Sequence, residues 1–414
     1  MKDNILTYLR IKETSPRPIF SNNQINIENK TYQTDTIVYG PDQKDMFHLI
    51  AESILTKCMQ GYNCSVFAYG QTGSGKTYTI QGTDSNPGLV QCSLSCLHNN
   101  YDELKLSFIE IYNENMIDLF DPEKQISIRE DPVKGVVVDA LTVFSSESLT
   151  ESLEFYRKGI SNRKTAATQM NLNSSRSHSI FTIELETKNK SIIKRSKLCF
   201  VDLAGSEKIV DKENDRIKET CNINKSLLCL GKIVHKLSSN DKWHISYRDS
   251  KLTFLLKDSL GGNSVLAIIG TINLDYPSDS INTLNFLNRS KLIKNCPSIN
   301  YDATKSTMAE LVESMKDLDE ENSNLKAELA SLKTDGNRSR RASMLYHLKS
   351  LKTDVALLSA QIDSVSENNA KLIENYYEGN KKIILEINEK FKVLDNAFRE
   401  NINNFQVKRR KTEE

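Results

Sequence analysis

The sequence predicts a layered α/β domain over about its first 295 residues, followed by an α-helical coiled-coil stalk. Three observations predict it: β-like runs alternate with amphipathic segments up to residue 295, a glycine-rich phosphate-loop pattern stands at 70–77, and heptads begin at Met308. At 414 residues the chain has room for about two to three folding units.

In chain order, the β-like runs are 65–69, 105–112, 179–187, 197–203 and 265–272, each rich in β-branched and aromatic residues. Helical periodicity falls between them at 45–59, 150–162 and 222–237. Beyond about residue 305 Gly, Pro and aromatic residues thin out and Leu, Glu, Lys and Asn take over, the composition of extended helix. Met308, Met315, Asn322 and Leu329 fall at a positions, and Leu311, Leu318, Leu325 and Leu332 at d positions, an unbroken 3-4 spacing. A lone surface helix would drift toward a period of 3.6, so the pattern predicts a coiled coil. In a parallel pair Glu321 faces Lys326 and Glu328 faces Lys333, and a buried Asn322 favours two strands, so a parallel homodimer through 308–333 is expected.

The heptads stop at 334–343, a basic hinge that holds Gly336, Arg338, Arg340 and Arg341. A weaker helical stretch follows at 344–407, readable as a discontinuous coil or a cargo surface, and the tail 408–414 opens on Lys-Arg-Arg-Lys.

Composition excludes several classes. Hydrophobic residues are 38% and charged residues 26%, with 16 Gly and 8 Pro, which fits neither collagenous nor Pro/Gly-rich disordered chains. Lys plus Arg (55) nearly cancels Asp plus Glu (54), so no nucleic acid is expected as a partner, although a local basic face can exist. The first twenty residues lack a signal-peptide apolar run, and no stretch is apolar enough to insert in a membrane. The eight cysteines form no Cys-x-x-Cys pair and read as buried reduced thiols of a cytosolic or nuclear protein.

The phosphate site is the strongest signal. Gly70-Gln71-Thr72-Gly73-Ser74-Gly75-Lys76-Thr77 satisfies G-x-x-x-x-G-K-[ST] after a β-like run and before a plausible helix, with Tyr78 next in line. Glycines let backbone N–H groups turn inward around an anion, and the helix N-terminus adds partial positive charge. Lys76 is placed to neutralise the β and γ phosphates of a nucleotide and Thr77 to ligate Mg²⁺. Asp202, ending the run 198–202, supplies an acidic residue for the water shell of that metal, and Gly205 permits close backbone approach to a γ-phosphate. Asn171-Leu172-Asn173-Ser174-Ser175-Arg176-Ser177-His178 packs hydroxyls and cations beside a β run, an arrangement a hydrophilic turn does not easily explain for the Arg and His.

Together with Asp202 to Glu207 (Asp-Leu-Ala-Gly-Ser-Glu), Asn222 to Leu227 (Asn-Ile-Asn-Lys-Ser-Leu) and Tyr247 to Thr253 (Tyr-Arg-Asp-Ser-Lys-Leu-Thr), these motifs resemble the kinesin motor domain. The resemblance covers residues 4 to about 300 and, within the family, is most like the twelfth class. It implies an α/β P-loop NTPase motor domain with a central mixed β-sheet flanked by helices at 1–295, and a neck linker at 296–307. It also implies a microtubule-stimulated ATPase that uses ATP and Mg²⁺, with microtubules (tubulin) as partner, in the cytoplasm and on the microtubule cytoskeleton, with the spindle as one candidate site. A plus-end-directed dimeric motor is expected; the alternatives are a non-motile microtubule crosslinker or nucleotide-dependent switch, and a P-loop enzyme unrelated to filaments.

Carried over by motif, Ser174 and Ser175 close over the γ-phosphate and the waters of the metal, Gly205 senses the γ-phosphate, Arg176 pairs with Glu207, and Asn224 supports the attacking water. Thr77, Ser175 and Asp202 form the metal set, and Lys225, Arg248, Lys251 and Lys257 the microtubule set. The family motif Arg-x-Arg-Pro that lies against the adenine reads here Arg10-Ile11-Lys12-Glu13, so Arg10 is kept and the proline lost. Asn300 matches the family's latch asparagine of the neck linker. Only Met1 to Asp3 precede the first strand, so the cover strand that pairs with the docked linker is expected to be nearly absent and force output low.

Overall fold

The structure, a computed structural model, describes residues 3–301 except 15–17, 19, 29, 102, 132–134, 170–173, 190–191, 208–216 and 240–244. Within its helices and strands the side chains of 166–169, 174, 187–189, 192–193, 217–224 and 301 are likewise left undescribed. The predicted heptads, hinge, second helical stretch and basic tail therefore lie outside the described residues, as do Asn171 to Asn173. One compact unit comprises 1–187 and 194–301; the other, 188–193 with 302–414, falls almost wholly outside them.

The chain begins with β1 (Asp3–Asn4) and β2 (Leu6–Ile11), then a small antiparallel sheet of β3 (Phe20–Ser21), β4 (Gln24–Ile27) and β5 (Lys30–Gln33), then β6 (Thr36–Tyr39). The helical run predicted at 45–59 is α1 (Lys44–Ile50), a π turn (Ala51–Leu55) and α2 (Thr56–Met59). Next come β7 (Cys64–Gly70), α3 (Lys76–Gln81), α4 (Leu89–His98), and the hairpins β8 (Leu104–Tyr112) with β9 (Asn115–Asp118) and β10 (Ser127–Asp131) with β11 (Gly135–Asp139). The first of these turns on Asn113 and Glu114, both at positive φ, as a two-residue hairpin loop requires.

After β12 (Phe144–Ser146) and α5 (Leu149–Gln169), a 3-10 turn (Ser174–Arg176) leads into β13 (His178–Asn189) and β14 (Ile192–Asp202). Then follow α6 (Ile217–Ser238), a 3-10 turn (Tyr247–Asp249), α7 (Lys251–Leu255), another 3-10 turn (Lys257–Ser259), β15 (Val265–Ile272), α8 (Pro277–Ser290), β16 (Lys294–Asn295) and β17 (Asn300–Tyr301).

The main sheet runs β12-β8-β13-β14-β7-β15-β2-β6, with β9 on β8 and β17 on β14. It is mixed: β14, β7, β15, β2 and β6 are joined by parallel ladders, whereas β12 and β13 run antiparallel to β8. Alternation along the central strands sends side chains to two cores. Val66, Ala68, Leu198, Phe200, Ala267 and Ile269 enter one, and Phe67, Val201, Leu266, Ile268 and Ile272 the other. A sheet buried on both faces reads as continuous apolar runs, which is why β7, β14 and β15 are legible in the sequence.

All five predicted strands form, most with longer ends, and α5 runs past its predicted end at 162. The cysteine expectation needs correction: Cys58, Cys64 and Cys229 are buried, but Cys92, Cys96 and Cys199 are half-buried and Cys296 is exposed. None forms a disulfide among the described residues. No described helix is long and apolar enough to cross a membrane.

Candidate functional site

The phosphate loop follows from the parallel pairing of β7 with β15. At Gly70 (φ +156°) a Cβ would collide with the carbonyl of Thr271, so the strand can leave the sheet only through glycine. Gly73 and Gly75 sit at φ +76° and +110°, the left-handed region that other residues resist, and Gly75 starts α3. Ser74 Oγ donates to Gln71 O at 2.7 Å and lies 2.6 Å from Thr271 Oγ1, pinning the loop to β15. The buried Lys76 donates from Nζ to Gly70 O and Gln71 O at 2.8 and 2.9 Å. Burial pulls its pKa down, while Asp202 and Glu207 oppose that shift.

Asp202, buried at the end of β14, organises the next layer. Its Oδ2 accepts from Thr77 Oγ1 at 2.9 Å and from Arg163 Nη1 at 3.0 Å. Its Oδ1 is buried with no hydrogen-bond partner among the described residues. An orphaned carboxylate oxygen beside a threonine hydroxyl is a hard-oxygen set that fits Mg²⁺, which is commonly held by one or two carboxylates together with phosphates. Thr77 and Asp202 are thus the residues that would hold the ion; the carbonyl of Ser175, the third residue expected there, accepts from Gly205 N–H.

Arg163 of α5, buried, also donates from Nε to Glu110 Oε1 at 3.2 Å, and Ser177 Oγ donates to the same oxygen at 2.6 Å. Glu110, Asp202, Arg163 and Lys76 make two carboxylates against two cations in the buried floor of the site. Sequence reasoning did not single out Arg163 or assign a role to Glu110; they sit on α5 and β8 and meet only in the fold.

The two predicted switch segments touch each other and the loop. Gly205 N–H donates to Ser175 O at 2.8 Å, and Ser206 N–H to Gly70 O at 3.0 Å. The N–H expected to sense a γ-phosphate is therefore held by the serine turn in this conformation. Glu207 accepts from Thr72 N at 2.8 Å through Oε2, and from Thr72 Oγ1 through Oε1. Its expected partner Arg176 lies half-buried in the 3-10 turn, so pairing with Glu207 has to compete with Thr72. The side chains of Ser174 and Asn224 lie outside the described residues.

Arg176 of the serine motif is not fully buried, whereas Ser177 is buried and so is His178. Ala204 N–H donates to its Nδ1 at 2.9 Å, so Nε2 carries the proton and donates to Ser226 Oγ of α6 at 2.8 Å. Burial first, then Arg163 and Lys76, push its pKa down to about 3 from an ordinary 6.5. Below pH 6.5 the unfolded chain therefore binds a proton that the native one refuses, and stability falls with pH. From this residue alone the loss between pH 7.5 and 5.5 should be roughly 1.4 kcal/mol. Urea unfolding across that range should show this component in the parent and lack it in His178→Gln; equal pH slopes would refute it.

Arg10, the residue expected against the adenine, is held by protein groups. Buried, it spends all five N–H donors on Gly40 O, Asp42 O, Gln43 Oε1 and Thr79 Oγ1, and its guanidinium lies 5.0 Å from the Tyr78 ring centroid. It backs Tyr78, whose hydroxyl donates to Pro41 O at 2.8 Å. Lys12 Nζ instead reaches the loop, donating to Gly73 O at 3.1 Å.

The four predicted filament cations gather where α6, α7 and the neighbouring 3-10 turns pack together. Lys225, Arg248 and Lys251 are exposed and Lys257 half-buried. Lys251 opens α7, its N–H bound by Glu114 Oε2 at 2.8 Å. Lys225, Leu228, Lys232 and His235 are all exposed at a spacing that makes one face of α6.

The segment 294–301, where the neck linker was expected to begin, bonds to the domain. Among the described residues β1 pairs antiparallel with β16 through Asp3 and Asn4, the place expected of a cover strand. Buried Asn295 donates to Ser259 O and Ser264 O at 2.9 and 2.7 Å and accepts from Gly261 N. Asn300 N–H donates to Gly61 O at 3.1 Å, and Asn263 Nδ2 to Asn300 Oδ1 at 2.9 Å. At Gly61 a Cβ would press on the Ile299 side chain at 2.7 Å, so the linker can pass only a glycine there.

A strand, glycine loop and helix with an acidic strand end and two loops that bond each other define a P-loop nucleotide hydrolase of the switch-bearing kind. The family model for the kinesin motor domain matches residues 4–293, and the chain belongs to the kinesin motor family. Its motor domain is that family's P-loop ATPase fold.

Kinesin-like protein KIF15 of Mus musculus is 41% identical over 329 residues, covering 72% of this chain and 24% of that protein. Kinesin-like protein KIF18B of Gallus gallus is 39% identical, covering 62% of this chain and 34% of its own length. Chromosome-associated kinesin KIF4A of Homo sapiens is 39% identical, with coverages of 70% and 26%. The chain thus spans about a quarter to a third of these relatives. Among solved structures, a fast kinesin superposes with a TM-score of 0.67 at 31% identity, covering 74% of this chain and 96% of that one. A KIF14 dimer bound with AMP-PNP to a microtubule gives 0.66 at 30%, covering 75% and 100%.

Proposed function

We propose that this chain is an ATP-driven microtubule motor in which hydrolysis at the phosphate loop is coupled to filament binding and to docking of the neck linker. The observation that carries the reading is α6: its buried Ser226 is bonded to His178 of the nucleotide site, and the adjacent Lys225 is exposed among the filament cations. One rigid element therefore joins the two sites, and a shift of the switch segments is transmitted to the outer face along a single helix.

In this reading Lys76 and the loop N–H groups would hold the ATP phosphates, and Thr77, Asp202 and Ser175 would hold Mg²⁺. The ion supplies charge neutralisation of the β and γ phosphates. Arg176 draws Glu207 from Thr72 toward the attacking water, which Asn224 supports. Dimerisation through 308–333, plus-end direction, the twelfth-class assignment and a cytoskeletal location extend the reading; they rest on the heptads and the motif resemblance. The microtubule in the KIF14 complex supports tubulin as the partner.

Steady-state ATP hydrolysis by the full chain, with and without polymerised tubulin at two salt concentrations, tests it. Strong stimulation that weakens with salt is expected, because exposed cations are screened within about 8 Å at physiological ionic strength. Tight filament binding without stimulation would replace the motor with a crosslinker or switch.

A further inference from the structure

Glu130, near the end of β10, lies between two of the filament cations. Its Oε2 accepts from Arg248 Nη2 at 3.1 Å and its Oε1 from Lys257 Nζ. The side chains remain open to solvent, Arg248 at 72% and both Glu130 and Lys257 at 35%. Resting on the filament reading of this face, we propose that Glu130 is a built-in counter-ion that occupies Arg248 and Lys257 in the free protein and yields them to filament carboxylates, lowering filament affinity.

The fold does not need Glu130 to hold this region together. The β10–β11 hairpin is also tied by Val136 N–H to Asp258 Oδ2 at 3.4 Å, and Val138 and Leu141 pack against the core. The Arg248 guanidinium rests 5.2 Å from the Phe254 ring centroid, which keeps it in place without the carboxylate. Each solvent-exposed pair contributes only about 0.2–1 kcal/mol, so a partner carboxylate can take the cation over at small cost. While bound, Glu130 reduces the charge of this group of three from +2 to +1, and an acidic surface approaching it is attracted correspondingly less.

The same hairpin supplies a control of equal charge. Asp139 is paired with Arg129, at 2.7 Å, and not with either filament cation. Co-sedimentation of the full chain with polymerised tubulin and a non-hydrolysable ATP analogue would measure half-saturation for the parent, Glu130→Gln and Asp139→Asn. The same pair of substitutions would also be made in an Arg248→Ala, Lys257→Ala background.

Glu130→Gln should tighten binding roughly three- to tenfold, the range that release of two exposed pairs allows, and Asp139→Asn less than about twofold. In the background lacking both cations, Glu130→Gln should do no more than Asp139→Asn. Unchanged or weaker binding by Glu130→Gln would overturn the proposal and make the residue a brace. A full effect persisting without the two cations would also overturn it, leaving only a diffuse field. A parent chain that binds no filament would remove the filament reading itself, a result distinct from either.

Discussion

Arg176→Ala is expected to leave ATP binding within a few-fold of the parent and to lower tubulin-stimulated turnover by about 10³-fold or more, some 4 kcal/mol of transition-state stabilisation. In the proposed reading the phosphates would be held by Lys76 and the loop and the metal by Thr77 and Asp202, none of which depends on Arg176 in the contacts described. Glu207 has both carboxylate oxygens on Thr72, so drawing it toward a reacting water needs a cation to compete for it. Arg176 stands one residue beyond Ser175, whose carbonyl already holds the Gly205 N–H, and so comes with the segment that closes. Binding of a fluorescent nucleotide, measured alongside phosphate release, separates the two effects. Normal turnover in Arg176→Ala would remove the residue from closure.

Arg163→Ala should have the largest effect on folding. It strips the shared cation from Glu110 and Asp202, whose side chains are 7% and 2% exposed. Breaking a buried pair costs about 3–5 kcal/mol because the remaining charge is left uncompensated, a large part of the roughly 5–15 kcal/mol that holds a typical domain folded. Adding Glu110→Gln leaves one buried carboxylate, Asp202, against the one remaining cation, Lys76, so the double variant should recover part of the loss instead of compounding it. Urea midpoints of the four chains measure this. A loss below about 1 kcal/mol for Arg163→Ala, or simple additivity with Glu110→Gln, would mean that the network does not balance charge as described.

The phosphate loop was legible because its chemistry is local. Gly70, Gly73 and Gly75 are needed for backbone angles or for close approach, and eight consecutive residues suffice to declare them. The central strands were legible because burial on both faces leaves apolar runs, and the α6 periodicity because one face carries Leu230, Ile233 and Val234 into the core while Lys225 and Lys232 face outward. The short strands at Thr36–Tyr39 and Phe144–Ser146 left no such pattern and acquire their role only by pairing at the sheet's flanks.

What the sequence determined by itself is therefore what neighbours along the chain can specify: the loop that takes phosphate, the acidic strand end, the order of the switch motifs and the cations available for a filament. The tertiary structure decided which charges meet. Arg163 finds Glu110 across 53 residues and Asp202 across 39, Glu207 finds Thr72 across 135, and Arg248 finds Glu130 across 118. It also decided that Arg10 backs Tyr78 and that His178 stays neutral. An ionic partner is chosen by distance and burial after the chain has folded, and neither quantity is written in the spacing of residues along it.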